Sequence, residues 1–203
     1  MRVTLRGLAS ASGNLLLSLM CGLFVYAHLR SFLALARASA LLMVGKESLD
    51  LLFYLTRPSA RSVSRSPYAW IAGVGGTFMP LFLRPTDGSA DSFVGQIVLC
   101  AGLALQLLGM LSLQRSISIV PAHRGIKTGG LYRCVRHPLY LSYTIAQIGY
   151  LMSNPSLDNL EIATVTLLFQ LLRIFNEERF LRHDPDYVAF ADRTRWALIP
   201  GVF

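Results

Sequence analysis

The stretch TGGLYRCVRHPLY, residues 128–140, is polar, basic and aromatic, and it lies between two strongly apolar runs. Gly129 and Gly130 let the chain turn through left-handed or crowded conformations. The pair His137-Pro138 marks a helix start. Pro138 suits the first helical position, where its missing N–H costs nothing, and it pushes His137 out of the α region. The helix predicted over residues 139–152 points free backbone N–H groups and a partial positive charge back at the loop. Such an end can hold an anion or a carboxylate. Roughly thirty residues on, RIFNEE (173–178) closes another apolar run with a second charged cluster. Arg173 and Glu177 are four apart and share one helix face. The plain alternative for them is an i, i+4 ion pair worth a few tenths of a kcal/mol. Glu178 points to another side, as an interfacial group or the partner of Arg182.

The runs that position these clusters are long and apolar. Hydrophobic residues make up 53% of the 203, charged ones 15%, and the net charge is +8. One domain of membrane spans fits this composition better than a soluble core. The positive charge is mostly Arg set between apolar runs, the pattern of cytoplasmic loops rather than of a nucleic-acid-binding face. Cys21, Cys100 and Cys134 are widely spaced, and neither a disulfide framework nor a metal site is indicated. Arg2 and Arg6 before the first apolar run give a signal-peptide-like start, read here as a retained first span.

The first run, residues 14–35, is long enough to cross about 30 Å of hydrocarbon at about 1.5 Å per residue. The second, 38–56, carries Lys46, Glu47 and Asp50 near its middle. Lys46 and Asp50 share a helix face, so they are expected as a buried neutralising pair, with contact to a substrate headgroup as the alternative. The third, 68–83, holds Gly73, Gly75 and Gly76. The fourth, 93–113, spaces Gly95, Gly102 and Gly109 seven apart on one face. Small residues so placed permit close helix packing. The run 139–152 makes about 21 Å of helix, too short to cross squarely. Asn154-Pro155 turns the chain, with Asn154 expected to cap the turn, and residues 160–175 bring it back. Residues 176–203 read as an interfacial helix followed by an apolar end. The fold class is therefore all-α: a polytopic transmembrane bundle of about six membrane helices with a short helical hairpin. Residues 1–113 would supply four of them, and 114–203 the functional part.

Loops 57–67 and 114–137 hold three and five Lys/Arg, whereas 84–92 and 153–161 are net acidic. The positive-inside rule then places both termini in the cytoplasm, with Arg37 as the dissenting charge. The hairpin returns Arg173 and Glu177 to the side where the 124–140 loop begins.

The pieces Gly130, Tyr132, Arg136-His137-Pro138, Tyr140, Asn154-Pro155, Arg173, Glu177-Glu178 and Leu181 resemble the isoprenylcysteine carboxyl methyltransferase family. Its wider relatives include integral-membrane enzymes that methylate phospholipid amines. The resemblance covers residues 114–203. It implies S-adenosyl-L-methionine as cofactor, held by Arg124, Gly125, Ile126, Lys127, Tyr132, His137, Pro138, Leu139, Tyr140 and Glu177. It makes Arg173 the substrate-side arginine and assigns catalysis to Arg173 and Glu177. Residues 115–123 lack the polar groups expected for full cofactor contact, and residues 1–113 carry no motif of the family.

The expected function is methylation of a lipophilic acceptor from the bilayer, first of all the carboxylate of an isoprenylcysteine-like molecule. Phospholipid-type N-methylation is the alternative within methyl transfer. Rivals outside it are an NADPH-dependent membrane reductase of the sterol type and a non-catalytic lipid-binding protein. Expected partners are membrane lipids and the lipophilic substrate, with no nucleic acid; the oligomeric state does not follow from the sequence.

Overall fold

The computed structural model describes residues 5–36, 38–86 and 92–203; the side chains of 5–11 and of residue 35 are not described. The charges of Arg2, Arg6, Arg37, Asp87 and Asp91 used for orientation lie outside what is described.

Among the described residues seven α-helices follow one another: α1 (Leu5–Leu35), α2 (Ala38–Thr56), α3 (Pro67–Phe78), α4 (Phe93–Leu113), α5 (Pro138–Ser153), α6 (Leu157–Leu181) and α7 (Pro185–Arg193). A departure from the all-α expectation is one antiparallel ladder of two-residue strands, β1 (Ser62–Val63) and β2 (Ala122–His123), with Ser62 opposite His123. It ties the loop after α2 to the segment before the Gly129-Gly130 turn.

Several expected boundaries shift for local reasons. The first helix starts at Leu5 rather than at residue 14. The third ends at Phe78 and continues as a 3-10 turn, Met79–Phe82, because Pro80 has no N–H to donate and its ring crowds the preceding turn. The helix after the motif spans Pro138–Ser153, two residues more than expected. The return helix runs Leu157–Leu181, so residues 176–178 belong to its last turns and not to the tail. Ser156 caps it by accepting from the Asn159 amide at 3.1 Å.

Helix pairing follows the small residues. α4 lies along α5, α1 along α2, and α3 against α6. At Gly102 a Cβ would come within 2.4 Å of the Ala146 amide nitrogen. From α5, Gly149 answers: a Cβ there would stand 2.2 Å from the Leu99 nitrogen. The seven-residue glycine spacing is thus a packing face, as expected. The two arms of the α5–α6 hairpin touch each other little, since each packs on a different neighbour. Asn154 does bind at the turn: its Nδ2 donates to Tyr150 O at 3.2 Å, and its Oδ1 accepts from the Thr86 amide at 3.2 Å.

Two helices among the described residues are long and apolar enough to cross a membrane, over Ser12–Ala34 and Phe93–Ser116. The four others expected to cross fall short of that test for visible reasons. α2 carries three charges, α3 and α5 are short, and α6 is interrupted by polar residues. Exposed Leu15, Leu19, Leu23, Ile97, Leu108 and Leu111 give the two long helices an apolar outer surface, which water would disfavour and lipid accepts.

Arg57 joins the end of α2 to α1. Its Nε and Nη2 donate to Asn14 Oδ1 at 2.8 and 2.5 Å, and its Nη1 donates to Ile117 O at 3.3 Å. Deeper between α1 and α2, Lys46 Nζ meets Glu47 Oε1 at 2.6 Å and Asp50 Oδ2 at 3.1 Å. Both carboxylates are buried. The expected Lys46–Asp50 pair forms, with Glu47 as a third member.

Candidate functional site

The site is assembled from three segments. The first is a strap, residues 116–127, which follows α4 and a 3-10 turn and bends before β2. The second is the turn into α5. Gly130 sits at φ +58, and a Cβ there would strike Ser112 Oγ at 2.1 Å, so only glycine fits. The chain then makes a 3-10 turn over Gly130–Arg133. His137 follows at φ −128, ψ 60, outside the α region as its place before Pro138 requires. The third is the C-terminal end of α6 with α7.

These segments enclose a cavity of ≈ 100 Å³. Of the residues singled out from the sequence, Arg124, Gly125, Ile126, Lys127, Tyr132, His137, Leu139, Tyr140, Arg173 and Glu177 all line it. Pro138 does not; it is buried at the first position of α5, where it sets the direction of the helix. The hairpin thus brings together two clusters far apart in sequence.

Arg173 and Glu177 do not pair. Arg173 is only 9% exposed, its Nη1 donates to Thr77 Oγ1 at 3.3 Å, and its guanidinium carbon stands 5.2 Å from the centroid of the Tyr140 ring. Among the described residues no carboxylate forms an ion pair with it. Glu177 Oε2 instead accepts from the Tyr140 hydroxyl at 3.0 Å. The simple ion-pair alternative is therefore overturned: Tyr140 occupies the space between the two charges and satisfies each separately. The Tyr132 phenol is pushed well above its ordinary range by burial and then by the charge of Glu177, so it stays an O–H donor.

The strap is anchored by its own basic residue. Arg124 Nη1 donates to Ser118 Oγ, and Nε donates to Pro58 O at 3.2 Å. Burial and the nearby charge of Arg57 lower its pKa to about 10. Lys127 Nζ reaches Gln114 Oε1 at 3.1 Å. From the other side His123 Nε2 contacts Asp184 Oδ2, and Asp184 Oδ1 caps α7 by accepting from the Asp186 amide at 2.8 Å. The hydrogen bond with His123 and that amide hold the Asp184 carboxyl below its usual range.

Several site residues escaped the sequence reading. Residues 116–122, which offer few polar side chains, all line the cavity. Tyr143, Tyr187 and Phe190 complete its aromatic wall. Glu178 was expected to be interfacial or paired with Arg182. The Arg182 bond exists, Nη2 to Oε2 at 3.1 Å, but Oε1 also accepts from Arg136 Nε at 2.6 Å and lies 3.2 Å from His137 Nε2. Glu178 lies beyond Phe175, where the apolar run of α6 ends. Burial would raise its pKa, but hydrogen bonds from His137 and Arg136 prevail and bring it to about 2. A pair of adjacent carboxylates, one for each side of the helix, was the available signal.

Outside this cavity, Cys21 Sγ and carboxylate oxygens of Glu47 and Asp50 lie within 4.8 Å of one another. Lys46 already holds both carboxylates there.

Residues 94–190 match the model of the isoprenylcysteine carboxyl methyltransferase (ICMT) family, covering α4, the strap, the hairpin and most of α7. No curated protein matches the chain.

Proposed function

From the match of residues 94–190 to the model of the isoprenylcysteine carboxyl methyltransferase family, we propose that this protein is a membrane methyltransferase that uses S-adenosylmethionine to methylate the carboxylate of a lipophilic, isoprenylcysteine-like acceptor. The observation that carries the acceptor class is Arg173. A guanidinium buried to this degree is costly without a counter-charge, and Arg173 lines the cavity. A carboxylate matches its planar fork; an ammonium group would be repelled. This favours O-methylation over the phospholipid-type N-methylation.

The donor set suits the cofactor. Glu177 offers a carboxylate for an amine or for ribose hydroxyls, Tyr132 and Lys127 offer donors for a carboxylate, and the aromatic wall offers faces for a purine. The cavity is smaller than the roughly 300–1,000 Å³ of small-molecule sites, so binding requires the strap or α7 to move outward. When bound, S-adenosylmethionine supplies a methyl group already activated by its sulfonium centre. The chain's own residues then have three tasks. Arg173 orients the acceptor carboxylate, which is nucleophilic at neutral pH and needs no base. Glu177, braced by Tyr140, fixes the opposite partner. The strap and α7 keep water out.

Six crossings with both termini in the cytoplasm belong to this proposal, because the basic strap and loop 57–67 share one side. The test is purified protein in lipid nanodiscs given methyl-labelled S-adenosylmethionine and either a prenylated cysteine or phosphatidylethanolamine. Base-labile label in the prenylated cysteine supports the reading. Label in the amine lipid alone moves the acceptor class, and binding of NADPH without the labelled cofactor removes methyl transfer.

A further inference from the structure

Glu178 stands off the cavity wall yet holds two residues that form it. One oxygen, Oε1, takes Arg136 Nε at 2.6 Å and His137 Nε2 at 3.2 Å. The same two residues are held a second time from the chain's C-terminal part. The amides of Arg136 and His137 donate to Trp196 O and Ala197 O, both at 2.9 Å. Arg136 Nη1 also donates to Thr194 O at 3.0 Å and Arg195 O at 2.6 Å. His137 itself is 5% exposed and lines the cavity. No hydrogen-bond partner is seen for its Nδ1 among the described residues, and Nδ1 is not one of the fully buried unpartnered side-chain atoms.

We infer that Glu178 is a positioning residue: it fixes His137 as the Nε2–H tautomer, so that the Nδ1 lone pair faces the cavity as an acceptor for an N–H or O–H group of the bound cofactor. In a neutral imidazole one nitrogen donates and the other accepts, and a carboxylate on one nitrogen decides which. Arg136, bound to the same oxygen and to two carbonyls, keeps the carboxylate from rotating away. The carboxyl of Glu178, held near 2, remains an acceptor at every working pH. The assignment of a cofactor donor to Nδ1 rests on the proposed methyl transfer; the tautomer does not.

The experiment has two arms. In the first, apo protein labelled with ¹⁵N-histidine is examined in micelles at pH 8.5, with His137→Asn identifying the signal. The expected signature is an Nε2–H ring in the wild type and a mixture of tautomers in Glu178→Leu. An Nδ1–H ring in the wild type, or a signal unmoved by Glu178→Leu, overturns the inference, whatever the cofactor turns out to be. In the second arm, a double-mutant cycle reads S-adenosylmethionine affinity. An asparagine at 137 places an acceptor near the Nδ1 position and has no Nε2 to orient. Glu178→Leu is expected to weaken binding at least tenfold in the wild-type background and less than threefold beside His137→Asn. Equal losses in both backgrounds would mean that Glu178 merely supports the fold. No binding by the wild type, with the Nε2–H signature intact, would instead refute the cofactor reading.

Discussion

The guanidinium of Arg173 stands over the ring of Tyr140, its central carbon 5.2 Å from the centroid. The hydroxyl of the same ring is hydrogen-bonded to Glu177, one helical turn further on, at 3.0 Å. Face and edge of one aromatic residue therefore keep two opposite charges apart, and both stay available to the cavity. Tyr140→Phe preserves the face and releases Glu177. Losing a hydrogen bond to a charged group costs about 1.5–3 kcal/mol, so cofactor affinity should fall roughly tenfold or more while the acceptor KM changes little. Isothermal titration and initial-rate kinetics on one preparation check this, and an unchanged cofactor affinity would count against Glu177 as a cofactor ligand.

Arg173→Lys and Glu177→Gln should divide along the same line. Lysine keeps the charge but not the forked donor geometry, so turnover falls with cofactor binding nearly unchanged. Glu177→Gln should weaken the cofactor by about 1.5–3 kcal/mol. The inverse pattern in a displacement assay would exchange the two roles.

The contact between His123 and Asp184 joins the strap to α7, the two walls that would part for the proposed cofactor. Removing it by His123→Ala should speed both association and dissociation of the cofactor, with the equilibrium affinity changed less than about threefold, since such a surface pair contributes little. Stopped-flow binding separates the rates; unaltered rates would show that access runs elsewhere.

Acid should loosen the site. The folded-state pKa of Glu178 lies at about 2, below the ordinary value of about 4.3. Such a depressed carboxyl contributes stability that is fully present above the unfolded value and is lost as pH falls through the folded one. Asp184 is shifted in the same direction. Thermal midpoints in micelles should therefore hold above about pH 4.5 and drop between there and about pH 2. Glu178→Gln should start lower and show a shallower drop. An equally steep drop in that variant would assign the acid sensitivity to other carboxylates.

The α4–α5 face offers a test of packing alone. Gly102→Ala places a methyl group against the backbone of Ala146, which cannot yield as a side chain end can. Overpacking of this kind costs about 1–3 kcal/mol. Gly13→Ala, with nothing within 4 Å of its Cβ, should be neutral or slightly stabilising. Comparable melting of the two variants in micelles would show that helix separation is tolerated.

What the sequence determined by itself was local. Proline chemistry put the helix start at residue 138, because Pro138 has no N–H to lose there and restricts His137 before it. The spacing of Gly95, Gly102 and Gly109 marked a packing face, and the four-residue spacing put Arg173 and Glu177 on one side of a helix, since 3.6 residues per turn allow nothing else. What only the tertiary structure decided depends on groups brought together across long stretches of chain. No periodicity says that Tyr140 separates Arg173 from Glu177, or that residues 194–197 offer their carbonyls to Arg136 and His137. Nor does composition reveal that residues 116–122 form a cavity wall, because so few of their side chains are polar. Glu178 is the clearest instance. Its sequence neighbours suggested Arg182 alone, while 41 and 42 residues away His137 and Arg136 share its other oxygen, and only the packing of the turn into α5 against the end of α6 brings them within reach.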